Sequence, residues 1–193
     1  MNDPFITDQT YKGIDYSLNK LPKGEYENCT FDSCSFSRSD LTNISFMECT
    51  FLGCDLSNAH LKNTSLKETV FENCKMLGLR FDHCNPFLLS FEFRGCTLNL
   101  SSFYQVKLKN STFNDCKLME VDFTEADATG VDFQQCNLEK AIFENTRLEK
   151  GDFSSAYGYS LDPEKNSIKK AKFSKEGVIG LLMKYDILIA ANI

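Results

Sequence analysis

The sequence predicts an all-β solenoid, in which short strands form a four-sided coil that stacks on itself. Large apolar residues recur every five positions along most of the 193 residues. Phe and Leu alternate at that position from Leu98 to Phe153, so like residues recur every ten, and cysteines recur every twenty. A period of five fits neither a strand nor a helix, whose side-chain periods are about 2 and about 3.6. The chain therefore turns a corner every five residues, and four sides complete one coil.

The first predicted element is an N-terminal lead-in, residues 1–13, because the five-residue step is counted from Tyr16. The lead-in has neither a basic stretch nor an apolar run, so it does not fit a signal peptide. No stretch of the chain reaches the roughly 18 consecutive apolar residues of a membrane helix. We therefore expect a cytoplasmic protein without membrane contact, in which thiols stay reduced.

The second element is the coil, residues 14–173. Each large apolar residue follows a smaller one by two positions, as Phe31 follows Cys29 and Leu61 follows Ala59. Residues two apart in an extended chain point to the same side, so both positions face the interior. Successive coils should stack at about 4.8 Å, and about seven coils between Tyr16 and Phe153 should form a rod of roughly 35 Å.

Cysteines occupy the small inward position throughout. The nine are Cys29, Cys34, Cys49, Cys54, Cys74, Cys84, Cys96, Cys116 and Cys136. Because a reduced cysteine packs as a small apolar residue, we interpret them as core residues. A metal site is the sharper alternative, but the columns run parallel and contain no CxxC or Cys and His cluster.

The coil changes register near residues 85–97. The five-residue step lapses at Pro86, reaches Phe91 and restarts two residues out of phase at Leu98. Proline lacks the N–H that a neighbouring coil needs, and two extra residues shift the register. We expect a kink or bulge here, and whether it also fits the rod to a partner stays open.

The last element, residues 174–193, lies outside the repeat. Val178, Leu181, Leu182 and Tyr185 form a helical stripe, and residues 186–189 are typical of a strand. An open solenoid end exposes unpaired backbone and apolar side chains, so it needs a cap. The sequence predicts that a helix and a short strand provide it.

Charge and motifs limit the possible functions. The net charge of −6 argues against direct binding of nucleic acid, which needs a basic surface. No paired nucleophile and base, phosphate-binding loop or carboxylate cleft is visible, and so narrow a coil fills its own interior. Neither an enzyme nor a cofactor site is predicted.

Acidic residues are concentrated in the second half of the coil. Five of them are candidates for binding a partner: Asp122, Asp127, Asp132, Glu144 and Asp152. Asp132 and Asp152 are twenty residues apart and should stack on one side, with Asp122 and Asp127 on the two adjoining sides. Solubility explains the same charges about equally well.

Segments such as CTFDSCSF, VDFTEADATGVDF and CNLEKAIF resemble the pentapeptide repeat family. That resemblance implies a right-handed quadrilateral β-helix. The break CNPFLLSFEFRGCTL, the segment AYGYSLDPEKNSIKKAKF and the closing EGVIGLLMKYDILI are similar to the Qnr type, which includes quinolone-resistance proteins and immunity proteins against albicidin and microcin B17.

The resemblance to the Qnr type implies a function and an assembly. It implies binding to DNA gyrase and topoisomerase IV by an acidic rod that mimics the DNA duplex. It also implies a homodimer, joined tail to tail through the C-terminal element. The residues that would form this dimer are Val178, Leu181, Leu182, Tyr185 and Ile187.

Two departures from the Qnr type favour an alternative, a scaffold for protein interactions whose partner is unrelated to gyrase. The coil has only a two-residue slip where members that protect gyrase commonly have long loops. A basic segment, residues 165–175, also interrupts the acidic rod.

Overall fold

The computed structural model describes residues 4–109 and 111–190 and shows a parallel β-solenoid. Pairing joins each strand to the one about twenty residues later, so every pair is parallel and lies in adjacent coils. The coil has four faces, numbered in chain order. Faces 1 and 2 carry strands, whereas faces 3 and 4 are joined by isolated bridges, such as Ser35 to Asp55 on face 3 and Asp40 to His60 on face 4.

Face 1 carries a four-stranded sheet in the order β1-β3-β5-β7, and face 2 carries a nine-stranded sheet from β2 to β13. The strands are β1 (Phe5–Thr7), β2 (Thr10–Lys12), β3 (Glu25–Glu27), β4 (Thr30–Asp32), β5 (Ser45–Met47), β6 (Thr50–Leu52), β7 (Ser65–Lys67), β8 (Thr69–Glu72), β9 (Phe91–Arg94), β10 (Thr112–Asn114), β11 (Asp132–Gln134), β12 (Asp152–Phe153) and β13 (Lys172–Phe173). Nine strands on face 2 define nine coil levels, which we number from the N-terminus.

The predicted boundary of the lead-in at residue 13 is wrong. β1 pairs with β3 and β2 pairs with β4, so the first coil already includes Phe5–Thr7 and Thr10–Lys12. Ile6 and Tyr11 keep the five-residue step before Tyr16, and both pack against the core. Residues 1–3 of the lead-in lie outside the described residues.

The interior is filled by stacked side chains at the predicted positions. Phe123 stacks between Phe103 and Phe143, with ring centroids 5.4 and 5.1 Å apart. All nine cysteines are buried and free of disulfides, which confirms their placement in the core. Stacking of like rings at successive levels buries a continuous apolar column.

Most corners have a left-handed backbone two residues after the large apolar residue. Asn58 and Gly78 occupy this position at successive levels, with φ of 56° and 65°. Asparagine and glycine tolerate this conformation better than other residues. The left-handed corner position therefore favours asparagine or glycine.

The register changes before Phe91, not between Phe91 and Leu98. Phe93 occupies the large inward position, because its ring stacks on Phe71 at 5.3 Å and on Phe113 at 5.0 Å. Phe91 fills the small inward position two residues earlier, paired with Thr69. The two extra residues therefore bulge from face 1 within residues 85–90, and the ring column continues through the break.

The C-terminal element caps the last coil with 3-10 helices, η2 (Gly177–Leu181) and η3 (Met183–Tyr185); a third, η1 (Phe81–His83), lies on face 4. The predicted strand at residues 186–189 is wrong, since those residues form neither a strand nor a bridge. Asp186 ends η3 with a left-handed backbone, φ of 49°, which is not a strand conformation. Residues 191–193 lie outside the described residues. Within residues 4–109 and 111–190, no helix is long and apolar enough to cross a membrane.

Candidate protein-binding surface

The five predicted acidic residues are divided among three faces. Asp132 and Asp152 pair in register on face 2, as predicted. Asp127 lies on face 1, bridged to Lys107 and Arg147, which is also the predicted adjoining side. Asp122 lies on face 4, the face opposite Asp132. The predicted position of Asp122 is wrong, because the ten residues from Asp122 to Asp132 span half a coil and place the two on opposite faces. One flat partner therefore cannot contact both Asp122 and Asp132.

The face-2 pair is partly neutralised by a lysine. Lys172 lies next to Asp152 in the ladder, and its Nζ is 2.8 Å from Asp152 Oδ2. Hydrogen bonds from Lys172 and Ser154 lower the pKa of Asp152 to about 2. Partial burial, and then the charge of Asp152, raise the pKa of Asp132. The stacked carboxylates therefore form a pair compensated from within the chain.

Asp127 and Glu144 also have cationic neighbours. Arg147 Nη1 is 3.1 Å from Asp127 Oδ2, and Arg147 Nε is 3.8 Å from Glu149 Oε2. Lys165 Nζ is 3.1 Å from Glu144 Oε1. These pairs are exposed and contribute little to stability, but they reduce the negative potential that a partner would meet.

Among the three faces that carry the predicted acidic residues, face 4 holds the cluster with the least compensation. We define the face-4 patch as Tyr104, Asp122, Glu125, Ile142 and Glu144, which lie on coils 5–7. Asp122 bridges in register to Ile142, and Glu144 follows Ile142 by two residues on the same face. The patch therefore places three carboxylates around two exposed apolar side chains.

Hydrogen bonds orient two of these carboxylates. Asp122 Oδ1 accepts a bond of 2.9 Å from the amide of Thr124. Glu125 Oε2 accepts a bond of 2.7 Å from Gln105 Nε2, one level below. No cation of the described residues lies within ion-pair distance of Asp122 or Glu125.

Three members of the face-4 patch were missed from the sequence. Tyr104, Glu125 and Ile142 all occupy outward positions of the repeat, and Ile142 is 46% exposed although it is aliphatic. The repeat register marks such residues, because a large apolar residue at an outward position cannot reach the core. Counting by twenty would have placed Ile142 beside Asp122.

All nine cysteine side chains are buried inside the coil. Burial raises the pKa of the Cys49 thiol to about 12 and also raises the pKa of Cys34. A thiol in this state is a poor nucleophile. Among residues 4–109 and 111–190, no group of three or more His, Cys, Asp or Glu side chains is arranged to hold a metal ion.

The C-terminal cap divides the predicted dimer residues into two groups. Leu181 packs against the core, so it seals the last coil. Val178, Tyr185 and Ile187 are exposed, and Leu182 is half-buried. Leu182 and Ile187 line a shallow apolar groove together with Ile179, Met183 and Ile189.

Comparison with known proteins identifies the family. The model of the pentapeptide repeat region matches residues 44–123 and 96–173, which together cover most of the coil. The chain belongs to the pentapeptide repeat family. No curated protein matches it in sequence.

Several solved structures are similar to this pentapeptide repeat protein. Full-length QnrB1, a plasmid-mediated fluoroquinolone resistance protein, is 19% identical over 95% of this chain and 100% of its own, with a TM-score of 0.42. HetL, a pentapeptide repeat protein involved in heterocyst differentiation regulation in Nostoc sp. strain PCC 7120, is 16% identical over 88% and 85%, with a TM-score of 0.49. Rfr23 from Cyanothece 51142 is 11% identical over 89% and 84%, with a TM-score of 0.25.

Proposed function

We propose that this pentapeptide repeat protein is a non-catalytic, cytoplasmic binding protein that presents its face-4 patch to a basic surface of a protein partner. The first candidate partner is a type II topoisomerase, chiefly DNA gyrase, which the resemblance to the Qnr type implies. In that role the acidic face occupies the place of the DNA duplex, and binding protects the enzyme from an inhibitor.

The observation that carries the proposal is the composition of the face-4 patch. Tyr104 and Ile142 are exposed apolar side chains that lose water on contact, and Asp122, Glu125 and Glu144 surround them. A desolvated aromatic and aliphatic centre with a charged rim is typical of protein interfaces. A basic partner surface complements the acidic rim. Because salt screens the attraction between exposed charges, added salt should weaken binding.

The other faces supply weaker candidates for an acidic contact. On face 2 the Asp132 and Asp152 column ends at Lys172, and on face 1 Asp127 is paired with Arg147. A partner that used these carboxylates would have to displace cations already bound to them. Face 4 requires this only at Glu144.

We also propose a homodimer through the C-terminal cap, as the Qnr resemblance implies. Ile179, Met183 and Ile187 expose apolar surface at the end of the rod. A second copy placed tail to tail would cover this surface on both molecules, as an isologous contact does. Ile187→Glu should then leave a monomer in sedimentation experiments at high salt while the far-UV circular dichroism is unchanged.

The test of the partner is a titration of the protein into a gyrase supercoiling reaction at two salt concentrations, with and without a quinolone. We expect salt-sensitive inhibition or protection from the drug by the unmodified protein. The variant Asp122→Asn with Glu144→Gln should lose most of this effect. Asp122→Asn keeps the acceptor for the Thr124 amide, so the local fold is preserved.

The matched control is Asp132→Asn with Asp152→Asn, which removes the same charge from face 2. It should retain the activity of the unmodified protein. Equal loss in both variants would show that net charge, and not the face-4 patch, determines binding. No effect of the unmodified protein at a large excess over gyrase would contradict the topoisomerase proposal.

The second candidate function is a scaffold that binds an unrelated partner. The cations paired with Asp127, Glu144 and Asp152 favour it, because they weaken the likeness to a uniformly charged duplex. In this case the face-4 patch variant should fail to capture a protein that both the unmodified chain and the face-2 control retain, and gyrase should be unaffected.

A further inference from the structure

One corner of the solenoid changes the sign of its charge along the rod. The corner between faces 1 and 2, here called the 1–2 corner, carries acidic residues in the amino-terminal coils and lysines in the last ones. Asp8, Asn28, Glu48 and Glu68 occupy it at coils 1–4, and Gly130, Lys150 and Lys170 occupy it at coils 7–9.

Backbone hydrogen bonds hold these corner positions in register. The amide of Glu48 donates to the carbonyl of Lys67 (2.9 Å), which fixes Glu48 beside Glu68 one level up. The amide of Lys150 donates to the carbonyl of Lys169 (3.0 Å), which fixes Lys150 beside Lys170. The backbones of the two residues in each pair therefore lie about one coil rise apart, roughly 4.8 Å.

None of these four charged side chains has an ion-pair partner among the described residues, and all four are exposed. All four also have a left-handed backbone, which Gly or Asn would adopt at lower cost. Each pair therefore combines like-charge repulsion with backbone strain. An external surface of opposite charge, in the same spacing, would relieve the repulsion.

We propose that this surface is the same corner of a second copy, which lies antiparallel and side by side with the first. A two-fold axis perpendicular to the rod at the level of the sixth coil maps the third coil onto the ninth and the fourth onto the eighth. Glu48 then faces Lys170, and Glu68 faces Lys150, in both directions. On adjoining face 1, the same axis brings Lys67 of the fourth coil opposite Glu149 of the eighth.

The bulge at the register break adds an apolar contact to this interface. Phe87 and Leu88 are 73% and 55% exposed on the fifth coil. The same axis places them opposite the seventh coil of the second copy, where Thr129 and Gly130 leave a low surface. A Cβ added to Gly130 would meet nothing within 4 Å, so this surface is open. The protruding residues therefore face small ones.

A second copy fits these charges better than a nucleic acid or an acidic peptide. Both columns repeat at the rise of the coil, so their charges match where the third and fourth coils face the ninth and eighth, whereas phosphates and side chains of an extended peptide repeat at other spacings. The net charge of −6 also opposes nucleic-acid binding. Acidic and basic residues on one corner explain each other only in an antiparallel pair.

The test is sedimentation at low salt of chains that also carry Ile187→Glu, so that a tail-to-tail contact does not contribute. We expect a salt-sensitive dimer, and we expect Glu68→Lys alone and Lys150→Glu alone each to weaken it about tenfold or more. The double swap, Glu68→Lys with Lys150→Glu, should restore the dimer because every facing pair is again opposite in sign. A monomer at all accessible concentrations, or failure of the swap to rescue, would overturn the proposal.

The matched controls lie at the diagonally opposite corner. Glu120→Lys and Lys140→Glu make the same charge changes at left-handed corner positions between faces 3 and 4, and they should leave the dimer unchanged.

Lys109→Cys, near the proposed axis, should form a disulfide between two copies under mild oxidation, whereas Lys117→Cys on face 3 should not. Equal cross-linking of both would contradict the geometry. None of these outcomes depends on gyrase binding.

Discussion

The two halves of the solenoid have the same repeat but different secondary structure. Coils 1–4 carry strands on faces 1 and 2, from β1 to β8, whereas the coils after the bulge, as far as their residues are described, carry strands on face 2 alone, from β9 to β13. On face 1 of the second half, single bridges such as Asp127 to Arg147 replace the strands. The backbone at the 1–2 corner therefore differs between the two halves.

Cysteine accompanies the strands in both halves. Of the nine cysteines, all but Cys84 follow the last residue of a three- or four-residue strand by two positions. The Cys49 thiol, for example, is 3.4 Å from the carbonyl of Met47, which ends β5, and 3.4 Å from that of Tyr26 one level below. The thiol is a weak donor to carbonyls at an open corner.

In the second half the 1–2 corner, which carries Cys29 and Cys49 in the first half, has Ser111, Val131 and Gly151 in place of cysteine. Here the corner closes with a turn, in which the amide of Val131 donates to the carbonyl of Ala128 (3.2 Å) and that of Gly151 to Leu148 (3.0 Å). The comparison teaches that the inward residue does more than fill space. At the 1–2 corner its type changes together with the change from an open strand corner to a hydrogen-bonded turn, whereas Cys136, at the corner between faces 2 and 3, lies in such a turn, with its amide donating to the carbonyl of Phe133 (3.3 Å).

The largest expected effect concerns the ring column that joins the two halves. Phe93→Ala removes a buried ring stacked on Phe71 and Phe113, and should cost about 3–5 kcal/mol. Because each coil contacts only its neighbours, the halves should then unfold in two steps. Urea denaturation followed by hydrogen exchange in each half tests this. A single transition with an unchanged urea midpoint would show that the coupling between the two halves does not depend on the stacking of Phe93.

An exchange of inward residues between the halves sharpens the comparison. Cys49→Val adds volume and removes the thiol contacts, and should cost about 1–2 kcal/mol. The reverse change, Val131→Cys, should cost less than about 1 kcal/mol because it adds no volume. Urea midpoints of the two variants provide the measurement, and equal costs would rule out a specific role for the thiol.

The corner conformation itself has a smaller effect, expected in either half. Gly130→Ala should destabilise by about 1 kcal/mol, because φ is 73° and no neighbour is displaced. Leu100→Gly, at φ of 64°, should change stability in the opposite direction, by a few tenths to about 1 kcal/mol. Thermal melts distinguish the two signs, and a Gly130→Ala variant as stable as the parent would contradict the account of the corners.

The smallest expected effect is the pH dependence of the face-2 column. Asp152 has a folded pKa of about 2, below its unfolded value, so its contribution is present above about pH 4 and is lost as the pH falls toward 2. The contribution should be below about 1 kcal/mol, because the pair is exposed. Asp132 has a raised pKa and acts with the opposite sign. Carboxyl NMR titration should show Asp152 moving upward in Lys172→Gln; an unchanged titration would contradict the pairing.

Much of the fold and part of the site could be predicted by counting. The five-residue step identifies Phe123 and the cysteines as inward, and the twenty-residue step stacks Asp132 on Asp152. The twenty-residue step also places Lys172 beside Asp152 and Ile142 beside Asp122. The ion pair on face 2 and part of the face-4 patch could therefore have been predicted from the sequence. The start of the coil was also within reach, since Ile6 and Tyr11 keep the step.

Other features could not be obtained from the repeat. Whether a corner is an open strand end or a closed turn depends on hydrogen bonds between levels, and the period is the same in both halves. The position of the two extra residues was ambiguous because Phe91 and Phe93 both fit an inward position. In the cap, the apolar spacing at Val178 and Leu181 suited a regular helix, whereas the carbonyl of Gly180 accepts a bond of 3.1 Å from the amide of Leu161 in the last coil, a tertiary contact that the spacing does not encode.

The most direct measurement of the central claim is hydrogen exchange of the protein alone and in the presence of gyrase. Binding through the face-4 patch predicts added protection centred on residues 102–105, 122–125 and 142–145, with face 2 of the same coils unchanged. Protection confined to residues 112–115, 132–135 and 152–155, or no added protection at saturating gyrase, would contradict it.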